Sequence, residues 1–160
     1  ISDSNCLKLS TYLEEYKQIG EKENFKDWYG LPNRPRYKEG GGCSAFGVSF
    51  LDVAGILRPE YVKNWSYFLR VPTSLIGNEE NKVGIIKLLT LPKNKNRWAF
   101  ESENHRDIFF WDPDAMNSWI KKISAQNDSA PFTKVKFLNS IGLYIDESSI
   151  EADNSPIWLK

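Results

Sequence analysis

Cys43 and His105 are the two residues of this chain best suited to covalent chemistry. Cys43 follows Gly40-Gly41-Gly42 and precedes Ser44-Ala45-Phe46, an order that can open a helix. The free N–H groups at a helix start favour a thiolate, the nucleophile of acyl transfer. A thiolate of this kind needs a base, and His105 is the single histidine. Asp107 or Asp112 can orient its ring, but His105 falls in a polar break at residues 102–105, where a turn is expected. Cys43 is therefore read as non-catalytic, and the chain as a protein without enzymatic activity or cofactor. No His/Cys cluster has metal-site spacing. Asp112-Pro113-Asp114 reads as a helix cap rather than an acid pair.

The 21 basic residues are balanced by 21 acidic ones, which argues against nucleic-acid binding through bulk charge but permits a local basic patch. Two cysteines, Cys6 and Cys43, do not make a disulfide framework, so a reduced, cytosolic chain is expected. No apolar run approaches the length of a membrane-spanning helix, and no signal peptide is visible. The chain opens at Ile1 rather than Met, so a lipidation signal upstream is an open expectation.

The elements that would position these groups are most legible in residues 97–126. Trp98 and Phe100 sit two apart, as one strand face requires. Ile108-Phe109-Phe110-Trp111 is β-branched and aromatic and reads as a second strand. Asp112 then caps a helix whose first position is Pro113, with Met116, Trp119, Ile120 and Ile123 on one apolar face. Upstream, residues 5–19 read as a helix, residues 45–51 as a strand or short helix, residues 53–58 as a strand and residues 59–64 as a loop. Strands are also expected at residues 65–71, 73–77 and 83–91. Residues 132–138 and 141–145 are two further runs of apolar character, followed by an acidic tail with Trp158.

Gly55-Ile56-Leu57, Trp65 to Leu69, Gly84-Ile85-Ile86-Lys87-Leu88, Trp98 to Phe100, Phe109 to Trp111 and the helix residue Trp119 together resemble a pleckstrin homology (PH) domain over residues 53–126. The resemblance implies a mainly β fold: a PH-like antiparallel β-barrel of about seven strands closed by a C-terminal helix. Residues 1–42 then form an N-terminal helical extension, residues 43–130 the PH-like domain and residues 131–160 a C-terminal extension. It also implies peripheral membrane association through anionic phospholipid headgroups, phosphoinositide or phosphatidic acid. Arg58, Lys63 and Arg70 would hold the headgroup near one loop, and Lys93 and Lys95, with Arg97, would add a second patch. Phe68 stands two before Arg70, where the family's phosphoinositide pattern has a basic residue, so that signature is incomplete. The Asn/Lys-rich turns are similar, more narrowly, to acylated PH-domain proteins of apicomplexan parasites, which implies phosphatidic acid as ligand and an acylated segment upstream. Two alternatives stand beside this reading. One is a PH-like scaffold that binds a protein instead of lipid. The other is a cysteine hydrolase, because papain-like and NlpC/P60-like enzymes place their nucleophile as Cys43 is placed.

Overall fold

The computed structural model describes residues 1–23, 30–76, 84–86, 98–126 and 130–160. Its regular elements are α1 (Asp3–Glu23), α2 (Cys43–Val53), α3 (Pro59–Trp65), β1 (Ser66–Pro72), β2 (His105–Trp111), α4 (Pro113–Ser124), β3 (Thr133–Phe137) and β4 (Ser140–Tyr144), with 3-10 turns at Pro35–Tyr37 and Thr73–Leu75. Two compact units emerge: residues 1–66 together with 110–160, and residues 67–109.

The expected seven-stranded PH-like barrel is not the observed fold. Among the described residues there are four helices and two separate two-stranded sheets, β1–β2 and β3–β4. Two local signals account for much of the difference. Residues 53–58, expected to be a strand, end α2 instead. Gly55 adopts φ +70°, with Gly55 N–H donating to Asp52 O at 3.1 Å and Ile56 N–H to Leu51 O at 2.9 Å. That pair of bonds is the Schellman stop, which a glycine adopts without the Cβ strain of other residues. Residues 59–64, expected to be a loop, form α3, with Pro59 at its first position and Glu60 in its first turn. Proline there loses no helical hydrogen bond and the carboxylate faces the positive helix end.

The remaining elements follow the sequence in part. α1 runs past Gly20 to Glu23, and residues 45–51 are helical, within α2. Asp112 Oδ1 accepts from Asp114 N–H at 2.7 Å and from Ala115 N–H at 3.0 Å, fixing the start of α4. Residues 98–100 are not a strand, although Ala99 N–H donates to Arg70 O at 2.8 Å. Thr73–Leu75 is a 3-10 turn where a strand was expected. The expected strand over residues 83–91 lies mostly outside the described residues.

The first unit is held by two aromatic clusters. Tyr61, Trp119 and Phe132 are buried together, and Leu51, Leu57, Trp65, Ile120, Leu143 and Ile145 pack around them. This joins α3, α4 and β4. The second cluster joins α1, α2 and the C-terminal tail: the Tyr12 ring centroid lies 5.3 Å from Phe50 and 5.2 Å from Trp158. Tyr12 is fully buried and its hydroxyl pairs with Ser49 Oγ at 2.8 Å. Burial pushes its phenol up to about 12, so the group stays neutral in this core.

Candidate functional site

The basic residues singled out from sequence fall in different surroundings. Arg58 precedes α3, and its guanidinium donates to Glu147 Oε1, from Nη2 at 2.6 Å and from Nε at 3.2 Å. The Glu147 carboxylate is buried, and this bond holds the Arg58 guanidinium above its ordinary value. Lys63 lies in the last turn of α3 and is exposed. Arg70 lies on β1, in the second unit, with its guanidinium 5.6 Å from the Phe68 ring centroid and 4.0 Å from Glu101 Oε2. Lys93, Lys95 and Arg97 lie outside the described residues.

The groups with covalent potential are also placed. Cys43 is the first residue of α2 and is exposed, and both Cys6 and Cys43 are free thiols. His105 opens β2 instead of sitting in a turn. Its Nδ1 lies 2.6 Å from Glu103 O, and Nε2 faces Asp107 Oδ1 at 3.3 Å. Among the described residues no group of three or more His, Cys, Asp or Glu is arranged to hold a metal ion.

The most unusual surface belongs to the β3–β4 hairpin. The strands are antiparallel, with Thr133 opposite Tyr144, Val135 opposite Gly142 and Phe137 opposite Ser140. Side chains alternate across a sheet, so these six share one face, while Lys134, Lys136, Ile141 and Leu143 share the other. Leu143 packs on the Trp119 cluster, so its face is the inner one. The outward face carries Val135, Phe137 and Tyr144, all exposed, beside Thr133 and Ser140. The hairpin closes through Leu138 and Asn139, with Leu138 at φ +53°. Phe137 and Leu138 are 77% and 79% exposed at the tip. Lys134 and Lys136 are exposed as well. A half-buried antiparallel sheet ordinarily keeps apolar groups in and polar ones out; this one ends in an apolar tip flanked by cations.

A cleft of about 530 Å³ lies between this hairpin and α4. Asn117, Lys121 and Ser124, at i, i+4 and i+7 on one face of α4, form one wall. Asn139, Ser140 and Ile141 form the opposite wall. Its lining contains no carboxylate. Sequence reasoning missed this wall, because the cleft arises only when the hairpin folds back on α4. The alternation of residues 132–138, followed by the apolar run at 141–145, was the available signal for the hairpin.

Comparison with protein-family models, with curated proteins and with solved structures finds no match to this chain. Among the described residues no helix is long and apolar enough to cross a membrane.

Proposed function

We propose that this protein associates reversibly with membrane surfaces rich in anionic phospholipid headgroups, through the β3–β4 hairpin. The observation that carries the reading is the exposed Phe137–Leu138 tip with Lys134 and Lys136 beside it. Such a tip can bury apolar side chains at the acyl boundary while its lysine heads stay among the phosphates. Each lysine near an anionic surface contributes about 1 kcal/mol. Burying a Phe or Leu side chain contributes about 1.5–3 kcal/mol. Together these give about 5–8 kcal/mol, between the ~4 kcal/mol of millimolar and the ~8 kcal/mol of micromolar binding. That is a reversible attachment; a stable one takes a second signal such as an acyl chain. Arg58 is held by Glu147, so the reading rests on the hairpin rather than on that arginine.

Vesicle sedimentation tests it. Phosphatidylcholine vesicles containing phosphatidic acid or a phosphoinositide are expected to recruit the protein, and pure phosphatidylcholine to recruit much less. Phe137→Ser with Leu138→Ser, and separately Lys134→Glu with Lys136→Glu, are expected to reduce recruitment about tenfold or more. These positions are exposed, so the fold tolerates the changes. Equal pelleting with neutral and anionic vesicles, or no pelleting with any, sinks the proposal.

A further inference from the structure

We infer that the cleft between α4 and the β3–β4 turn is a binding site for a phosphate monoester. The inference deepens the membrane proposal, and rests on it only for the lipid-borne form of the ligand. The cleft's dimensions suit a small organic ligand: about 530 Å³ falls within the common range for such sites.

Its lining is rich in donors and contains no anionic side chain. Lys121 brings a full positive charge, and Asn117 and Asn139 bring amides. Ile120 and Ile141 supply an apolar flank against which a short carbon skeleton can lie. Lys122 in the same turn of α4 adds to the positive field.

Ser124 makes the cleft more than a surface dimple. It lines the cleft, is only 5% exposed, and its Oγ has no hydrogen-bond partner among the described residues. A buried hydroxyl without a partner is destabilising, and native folds keep few of them. A bound acceptor would satisfy it.

The end of α4 does not oppose an anion as strongly as a bare helix C-terminus would. The carbonyls of Lys121 and Lys122 accept from Ala125 N–H, and that of Ile123 accepts from Gln126 N–H. These oxygens are therefore already engaged. A phosphate monoester offers three oxygens in a tetrahedral array, enough to accept from Lys121 and Ser124 on one wall and from Asn139 on the other. A planar carboxylate offers two.

Glycerol 3-phosphate is the soluble probe, phosphatidic acid vesicles the lipid one, and acetate the control, all with the full chain. Amide NMR titration with glycerol 3-phosphate is expected to move the resonances of Lys121, Ser124, Asn139 and Ser140 saturably. Acetate is expected to leave them nearly unmoved. Lys121→Gln is expected to weaken the binding about tenfold or more, since a hydrogen bond to a charged group is lost.

Ser124→Ala provides a second readout. It removes the hydroxyl that has no partner among the described residues, so the ligand-free variant is expected to melt at a higher temperature than the wild type while binding the probe more weakly. A hydroxyl with only a structural role would not produce that opposition. Phe137→Ser with Leu138→Ser is expected to lose vesicle binding and keep binding of glycerol 3-phosphate, which separates failure of the membrane proposal from failure of this one. The inference is overturned by unsaturable shifts, by equal response to acetate, or by unchanged affinity in Lys121→Gln.

Discussion

Trp119→Ala is expected to lower the unfolding free energy by about 3–5 kcal/mol, the largest effect of any single substitution considered. Trp119 is 6% exposed, and its ring meets Tyr61, Trp65 and Phe132 nearly edge-on at centroid distances of 5.6, 5.4 and 5.3 Å. Truncation removes the transfer free energy of the indole and leaves a cavity that three large rings cannot close by small shifts. Each edge-to-face pair adds about 0.5–1.5 kcal/mol beyond its area, and three are lost at once. Against a usual domain stability of about 5–15 kcal/mol, the variant would sit near the threshold of folding. Urea titration followed by far-UV circular dichroism measures the loss. Trp119→Phe, which keeps part of the ring packing, is expected to recover more than half of it. A loss under about 1 kcal/mol for the alanine variant would falsify the placement of Trp119 at the centre of this core.

The same tryptophan shows how far sequence reaches here. The helix that bears it was legible because every signal for it is local: the Asp112 cap, Pro113 at the first position, and an apolar stripe at helical spacing. At residues 133–144 only the alternation of residues 132–138 was legible, and the pairing of the two strands into a hairpin was not. The barrel was not there because strand, turn, strand and helix is a sequence of local elements that many folds share. Gly55 reads equally as a strand residue or as a helix stop, and only the bonds it makes decide between them. Pro59 with Glu60, and Tyr61 and Trp65 four apart, were a helix start that loop composition concealed. Long-range polar pairing left no trace in the sequence. Arg58 and Glu147 are 89 positions apart, and nothing near either residue announces the other. The cleft beside the hairpin is likewise a product of packing: Lys121 and Ser140 share it although each, alone, reads as an ordinary surface residue.

The acidic tail carries the second large expectation. Arg36→Ala is expected to destabilise the first unit by about 2–4 kcal/mol and to free the chain end. Arg36 is 7% exposed, unusual for an arginine, and each nitrogen of its guanidinium makes a hydrogen bond. Nη1 donates to Asp52 Oδ2 at 2.6 Å, Nε donates to Ile157 O at 3.1 Å, and Nη2 donates to Pro156 O. Its own carbonyl accepts from Leu159 N–H at 2.8 Å. Hydrogen bonds to a charged donor contribute about 1.5–3 kcal/mol each. Asp52 is half-exposed and regains water when its partner is removed, so the total stays below a simple sum. Arg36→Lys is expected to rescue little, because an ammonium lacks the planar fork that reaches a carboxylate and two carbonyls together. The tail has further anchors in the same unit. Trp158 Nε1 donates to Glu15 Oε2 at 2.6 Å, and Ile150 O accepts from Ser2 Oγ at 2.7 Å and from Asn5 Nδ2 at 2.8 Å. If these contacts form one strap, Arg36→Ala and Trp158→Ala share part of their effect, and a double-mutant cycle is expected to show coupling above about 0.5 kcal/mol. Limited proteolysis supplies the independent readout: cleavage after Lys38 or within residues 147–159 should accelerate in Arg36→Ala before the rest of the unit unfolds. Additive losses with no faster cleavage would mean that the tail lies on the surface without bracing it.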